Sequence, residues 1–554
     1  MSQTAAELLV KCLEAHNVKF IFGIPGAKVD TIFNALVDSS IRLILCRHEQ
    51  NAAFMAAARG RLTGEPGVVL VTSGPGVGNL CTGLLTATTE GDPVIAIGGN
   101  VARSMLHKAS HQSAQNIKMM EGVTKISEEV YAADNVPEVV ANAFRVAKAP
   151  KSGACFISFP QDVLQEQTDA KVIHAGKMHY TGLASKQVMQ LAAAEINAAK
   201  NPIILLGQNA SKVENTRAIR ALLQAHPFPT ISTYQAAGVI SRSLMSYFYG
   251  RVGLFKNQPG DRLLDQADLI IAIGFNPVEY DPEIWNSNGS KTNGQRKVIH
   301  IDDTMSDIHQ TYQTNVEILG SISGNVKNLI PLLKESLPLK KYDSIKEDFK
   351  KSLYNPKENI ACKKQIHPLK FIHELHKYVN DCTVIACDIG TNYMWMARYF
   401  LSHIPHQMLF SNGQQTLGVG LPWGMAVKLT YPDKRVFSIS GDGGFLFSAM
   451  ELETAVREKL DIIHFVWVDG SYNMVKEQEL MKYHRESGVE FGYVDIVKFA
   501  ESFGATGFRL DDSDKFDEIM SQALATRGPV LIEMPVDYSD NPALFAATDP
   551  HAGH

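Results

Sequence analysis

The chain has 554 residues, of which 45% are hydrophobic and 20% charged, with a formal net charge of −5. At roughly 150 residues per domain, that length predicts three or four domains, each with a core of its own. No basic stripe dominates and no apolar run reaches ~18 residues, which excludes nucleic-acid, membrane-surface and membrane-spanning roles.

The opening stretch "MSQTAAELLVKCLEAHNVKF" sets Leu8, Leu9, Cys12 and Leu13 at helical spacing, with Glu7, Lys11 and Glu14 opposite. It predicts an amphipathic helix and lacks the apolar centre of a signal peptide. Seven cysteines are scattered at 12, 46, 81, 155, 362, 382 and 387, with no CxxC pair. They read as free thiols, mostly buried, in a reducing compartment, and the chain is read as cytoplasmic.

Short apolar runs then alternate with helical patterns. The first third holds "VKFIFG", "RLILC", "GVVLVTSG", "PVIAIGG" and "CFISFP", separated by segments such as "NAAFMAAARGRL". Strands apolar on both faces and separated by helices predict a parallel sheet covered on both sides. The middle third has "PIILLG", "PTIST", "ADLIIAIG" and "KVIHID", and ends in the charged run "KESLPLKKYDSIKEDFKKSLYNPKENIACKKQ", a linker or surface helix. The last third has "CTVIACDIG", "QMLFSNG", "RVFSISGDGG", "DIIHFVWVDG" and "PVLIEMPVD". The reading is α/β, with three doubly wound parallel-sheet domains at 1–165, 185–340 and 365–554.

Ligands of such sheets sit beyond the carboxyl ends of the strands. Glycine loops fall there: "GIPGAK", "TSGPGVGN", "CDIGTN", "SNGQQ", "GDGG" and "VDGSYN". In "RVFSISGDGGFLFSAMELETAV", Asp442 stands among Gly441, Gly443 and Gly444 at the start of a helix. Glycines and a helix start suit a phosphate, and an acid beside a phosphate needs a cation between them. The next strand, "IIHFVWVD", ends in Asp469, close enough in the topology to share a divalent ion such as Mg²⁺. Asp469 in "DGS" also fits an ordinary turn.

At this point the sequence resembles the thiamine diphosphate-dependent enzymes. Their fingerprint starts with a "GDG" and ends in tandem asparagines; here Val468 and Asp469 stand in the asparagine places. The resemblance implies Asp442, Asp469 and the backbone oxygen of Ser471 as Mg²⁺ ligands. It also implies a glutamate that drives proton removal from the cofactor. Glu49 in "RHEQNAAFMAAARGR" matches it, although a first-turn acid favoured by the helix dipole would look the same.

"FGIPGAK", "EQNAAFMAAARGRLTG", "VTSGPGVGN", "SNGQQTLGVGLPW" and "GDGGFLFSAMELETA" together resemble the acetolactate synthases. "VGLFKNQPGD" and "YNMV" resemble their catabolic, flavin-free branch. The resemblance implies pyrimidine-binding, central and diphosphate-binding domains in that order. It implies that two pyruvates give 2-acetolactate and CO2, through an ylid and an enamine on the cofactor. It implies a site shared between two chains, hence a homodimer and often a homotetramer, with no FAD and no regulatory subunit. The product would feed a route to acetoin and butanediol.

By the same resemblance, Gly26 lies near the reacting carbon, Gln112 contacts substrate and His111 replaces an aromatic of the flavin branch. Lys28 meets the pyruvate carboxylate or is a surface lysine. Ser73, Pro75, Gly390, Thr391, Asn392, Gln414, Gly441, Gly443, Gly444, Tyr472, Asn473 and Met474 line the cofactor, with Gln478 as a further candidate. Leu417 is the wedge that bends the cofactor, or simply core. Water must be kept out, which predicts an apolar mouth closed by the C-terminal "DNPALFAATDPHAGH". Three alternatives stand beside this reading. One is a FAD-containing biosynthetic synthase or oxidase, although "FNPVEYDPEIW" occupies the place of its Arg-Phe-Asp-Asp-Arg stretch. Another is a thiamine enzyme for a different 2-oxo acid. The last is a non-catalytic protein of the same fold.

Overall fold

The computed structural model describes residues 2–174, 176, 181–286, 296–334, 339–353 and 364–545. Three six-stranded sheets follow one another along the chain. The first contains β1 (Phe20–Gly23), β2 (Arg42–Leu45), β3 (Gly67–Val71), β4 (Val94–Asn100), β5 (Ile126–Glu129) and β6 (Ala154–Pro160). The second contains β7 (Pro202–Leu206), β8 (Thr230–Thr233), β9 (Phe248–Val252), β10 (Leu269–Ile273), β11 (Lys297–Asp302) and β12 (Val316–Leu319). The third contains β13 (Thr383–Cys387), β14 (Met408–Leu409), β15 (Arg435–Gly441), β16 (Ile463–Val468), β17 (Thr506–Arg509) and β18 (Val530–Pro535). Every strand pair within these sheets is parallel.

The strand orders are β2-β1-β3-β4-β6-β5, β9-β8-β7-β10-β11-β12 and β14-β13-β15-β16-β18-β17. The first and third sheets thus share one order and the middle sheet has another. In each, the order reverses beside the first strand in sequence, which opens a crevice at the carboxyl ends. The central strands β3, β4, β6, β7, β10 and β13 are buried along their whole length, as their unbroken apolar runs require.

The first and third domains pack on each other through two helices. Glu49–Thr63, "EQNAAFMAAARGRLT", is buried nearly all round and ends at Gly64, a left-handed cap with φ +72°. It lies against Gly420–Thr430, which is just as enclosed. Small side chains on the first helix allow this close approach.

All three domains meet around Glu90. Its carboxylate faces Arg61 of its own domain, Gln235 of the middle domain, and the Ser411 hydroxyl (3.1 Å) and Gly413 N–H (2.7 Å) of the third. Arg61 also reaches Asp92 at 2.8 Å and stacks over Trp423. The predicted N-terminal helix is present as Ala5–Ala15, with Leu8, Leu9, Cys12 and Leu13 buried and a capping box between Thr4 and Glu7. The charged run forms a helical turn, Leu339–Tyr342, and a surface helix, Asp343–Leu353, that buries Ile345 and Phe349; residues 335–338 and 354–363 lie outside the described residues.

Candidate active site

At the crevice of the third sheet lies a cavity of about 480 Å³. Its walls are the carboxyl ends of β13, β15 and β16, the helix Asn473–Tyr483, and Leu254 and Phe255 from the middle domain. The chain leaves β13 through Asp388 and reaches Gly390 at φ +134°, ψ −166°, a conformation in which a side chain is strained. A Cβ there would also stand 2.9 Å from Asn392 Oδ1. That oxygen is buried and has no hydrogen-bond partner. The helix Thr391–Tyr399 starts directly after, with its positive end at the cavity.

Asp388 fixes the floor. Its carboxylate accepts the N–H groups of Ile389 (2.8 Å) and Gly418 (2.9 Å) and the Ser440 hydroxyl (2.9 Å). Burial pushes its carboxyl up to about 6. It thereby ties the loop carrying Leu417 to the strand ends. A Cβ on Gly444 would come within 3.2 Å of Asp388 Oδ2, and one on Gly443 within 2.8 Å of the Tyr472 ring. Both glycines leave backbone exposed toward the cavity.

Asp442 and Asp469 lie together at the ends of β15 and β16. Asp442 accepts the N–H groups of Gly443 (2.9 Å), Gly470 (2.8 Å) and Asp469 (3.2 Å). Burial raises its carboxyl above the usual range, against those hydrogen bonds. Burial also raises Asp469 to about 6, and the Asp442 charge adds to that. The Ser471 hydroxyl donates to Asp469 at 2.6 Å. Asn473 accepts from Thr391 (2.8 Å) and from Asn541 (2.7 Å), whose own oxygen takes the Trp395 N–H (2.9 Å). Two crowded carboxylates, one buried and one half-buried, beside a glycine floor and a helix start fit a phosphorylated ligand joined through a hard cation.

The cavity therefore brings together Gly390, Thr391, Asn392, Leu417, Gly441, Asp442, Gly443, Gly444, Asp469, Ser471, Tyr472, Asn473, Met474 and Gln478. Gln414 is not in its wall. Its side chain turns to Thr89 at 3.0 Å, and Gln415, in a left-handed conformation with φ +47°, faces the cavity instead. Sequence reading did not single out Asp388, Gln415, Tyr538, Leu254 or Phe255. Asp388 left a signal, an acid ending an apolar strand.

Glu49, Gly26, Lys28, Ser73, Pro75, His111 and Gln112 are also outside the cavity wall. They gather at the equivalent crevice of the first sheet. Gly26 packs on Thr72, where a Cβ would come within 2.4 Å of the threonine Cβ. Glu49 opens its helix and accepts from Asn79 at 2.9 Å, with Oε1 beside Gly76. Ser73 is buried and lies 3.5 Å from Gln112, a residue with φ +59°. Lys28 donates to Gln161 at 3.2 Å, and His111 is exposed. Within one chain the predicted residues thus form two clusters on two domains.

Three family profiles match the chain. They are the Thiamine pyrophosphate enzyme N-terminal TPP binding domain (residues 3–120), central domain (189–329) and C-terminal TPP binding domain (388–534). An "Acetolactate synthase" of Bacillus subtilis (strain 168) is 48% identical over 97% of this chain and 94% of its own. An "Acetolactate synthase, catabolic" of Raoultella terrigena is 44% identical over 98% and 96%. The "Acetolactate synthase isozyme 1 large subunit" of Escherichia coli (strain K12) is 29% identical over 96% and 94%. With a third-domain cavity built for a phosphorylated ligand and similarity along nearly its whole length, the chain belongs to the acetolactate synthase family of thiamine pyrophosphate enzymes.

Proposed function

We propose that this chain condenses two molecules of pyruvate to 2-acetolactate with release of CO2, using thiamine diphosphate and Mg²⁺ and no FAD. The observation that carries the reading is the third-domain cavity, where a glycine floor, a helix start and two crowded carboxylates meet. The names of the two relatives above 40% identity supply the reaction.

The residues fit the cofactor chemically. Gly390, Gly443 and Gly444 leave room that a Cβ would fill, and Asn392 Oδ1 offers an open acceptor. Asp442, Asp469 and the backbone oxygen of Ser471 are the proposed Mg²⁺ ligands; ion binding would relieve the repulsion between the two acids. Once bound, thiamine diphosphate supplies the nucleophilic carbon and holds the electron pair left by departing CO2. Glu49 is proposed to exchange a proton with the aminopyrimidine, its Oε2 held by Asn79. Lys28 and Gln112 are proposed to orient pyruvate, with Gly26 leaving space at the reacting carbon and His111 at the rim. Leu254, Phe255, Leu417, Met474 and Met481 give the cavity an apolar wall. Such a wall keeps water away and favours a carbon acceptor over a proton. The proposed closure by residues 546–554 lies outside the described residues.

A homodimer follows from the split of the site. Glu49 and Gly26 sit on one domain and the cavity on another, so a second copy is proposed to bring them together. Leu446, Phe447, Tyr472, Val475, Leu480 and Tyr483 are exposed around the cavity, and burying them supports that assembly, as a dimer or as a tetramer made of two dimers. No regulatory subunit is proposed.

Independence from FAD is supported by "FNPVEYDPEIW", whose Phe275, Tyr280 and Trp285 pack inward with Tyr312. Among the described residues no helix is long and apolar enough to cross a membrane. The described cysteines are free, which supports a cytoplasmic setting. The domain limits 1–165, 185–340 and 365–554 are proposed from the three sheets.

Metal-stripped protein tests the reading. Acetolactate should form from pyruvate only when thiamine diphosphate and Mg²⁺ are both added, without FAD. No turnover of pyruvate under those conditions, but turnover of another 2-oxo acid, would overturn it.

A further inference from the structure

The turn that carries Glu49 is held by the other end of the same chain. Glu451 lies in the third domain, is fully buried, and belongs to the short helix Ala449–Glu451. Its Oε1 accepts the backbone N–H groups of Arg47 (2.9 Å) and His48 (3.0 Å), the two residues before Glu49. The Asn51 side chain donates to the same oxygen at 3.3 Å. Oε2 takes the Thr454 hydroxyl at 2.8 Å. The neighbouring segment adds to the grip: Arg457 donates to the carbonyl of Leu45, and Arg42 pairs with Glu458. The whole turn from β2 into the Glu49 helix is thus clamped by residues 451–458.

His48 caps that helix only through its ring, which accepts from Gln50. Among the described residues, the hydrogen-bond acceptor shown for the N–H groups of Arg47 and His48 is this carboxylate, which comes from another domain. The stretch that starts at Asp442 in the cavity ends at Glu451. It therefore joins the cavity floor to the Glu49 turn through one run of backbone.

We propose that Glu451 is a positioning residue for the reaction: by fixing the Arg47–His48 turn, it sets the direction in which the Glu49 carboxylate meets the cofactor. This rests on the reading of Glu49 given above. An acceptor at Oε1 is what the clamp requires, and glutamine retains one. Alanine leaves both N–H groups without their acceptor, so the turn loses its clamp.

The test is the rate at which the C2 proton of bound thiamine diphosphate exchanges with deuterium, read by quenched-flow NMR on the Mg²⁺ holoenzyme. Glu49→Gln should slow this exchange by about 10²–10⁴-fold if Glu49 is the proton relay. Glu451→Ala should slow it by about ten- to a hundredfold, as a misdirected group does, while cofactor affinity changes by less than about threefold. Glu451→Gln should restore the rate to within about threefold of wild type. Amide exchange of the metal-free protein should show Arg47 and His48 deprotected in Glu451→Ala alone.

Deprotected amides with wild-type C2 exchange in Glu451→Ala would overturn the proposal. So would equal slowing in the alanine and glutamine variants, which would make the charge rather than the clamp matter. Should Glu451→Ala not fold, Thr454→Val frees one carboxylate oxygen and should slow exchange about two- to fivefold; an unchanged rate would refute the proposal. Unchanged exchange in Glu49→Gln would instead bring down the reading of Glu49 itself.

Discussion

Gly390 offers a sharp test of the cavity floor. At φ +134° and ψ −166° it occupies a region that side-chain-bearing residues avoid. Forcing alanine into it costs about 1–3 kcal/mol, equivalent to roughly five- to 150-fold in an equilibrium. Space adds to the strain, since the new Cβ would lie 2.9 Å from Asn392 Oδ1. Asn392 cannot swing aside easily: it is buried, and its amide donates to the Asp388 carbonyl at 3.1 Å. The cost has two outlets. If the backbone holds, the metal-free protein loses stability, by roughly 2–4 °C in melting temperature per kcal/mol for a domain of this size. If the backbone relaxes, the start of the Thr391 helix moves and thiamine diphosphate binds more weakly. Gly390→Ala should therefore lower the melting temperature, the cofactor affinity, or both, with the two losses summing to about 1–3 kcal/mol. Gly528→Ala is the control: it also has a positive φ, of +85°, but no atom within 4 Å of the new Cβ, and it does not line the cavity. It should lose stability alone. Calorimetry and cofactor titration by intrinsic fluorescence measure both quantities. A Gly390→Ala protein that melts and binds as wild type would refute the reasoning about the floor.

Arg61→Ala leaves Glu90 and Asp92 buried without their shared cation and should cost about 3–5 kcal/mol; a denaturant-measured loss below about 1 kcal/mol would contradict this. Burial raises the Glu279 carboxyl to about 7. A raised acid contributes stability that is fully present below its unfolded value of about 4.3 and is lost as pH climbs through the folded value, at up to about 1.4 kcal/mol per unit. Glu279→Gln should therefore flatten the fall in stability between about pH 4 and pH 7, measured by denaturant midpoints; an unchanged slope would count against it. Phe447→Glu places a charge on the apolar rim and should yield folded protein that sediments as a monomer and lacks activity. If sites are shared across a two-fold axis, co-expressing Glu49→Gln and Asp442→Asn chains should restore about a quarter of wild-type activity, whereas no recovery would place both residues in one chain's site.

The central strands were legible because both faces of each are covered, so their sequences are unbroken apolar runs. Within the three six-stranded sheets, the strands that sequence reading missed are all edge strands: β5, β9, β12 and β17. "ISEE" and "TGFR" leave residues half-exposed and lose the run. "FYGRV" is buried, but Arg251 interrupts it, with its guanidinium spent on the carbonyls of Ala397 (2.8 Å) and Phe400 (2.7 Å). Those partners are distant in sequence and leave no local trace.

The site was legible in its glycines and acids, since a phosphate-and-cation site needs those residue types at strand ends. Three things were not. Whether Gln414 or Gln415 faces the cavity depends on one left-handed backbone angle. Asp388 works by accepting hydrogen bonds from Gly418 and Ser440, which only the folded sheet brings near. Glu49 and Asp442 belong to different domains, and one sequence cannot say whether its own fold unites them. The shared strand order of the first and third sheets places both at matching crevices, and the cavity wall contains only one of them.

Pyruvate labelled with ¹³C at C2 gives the most direct measurement. Incubated with the metal-stripped protein, thiamine diphosphate and Mg²⁺, without flavin, and followed by NMR, it should yield acetolactate with two adjacent labelled carbons coupled to each other. Labelled acetaldehyde in its place would show that the intermediate takes a proton instead of a second pyruvate, and would contradict the account.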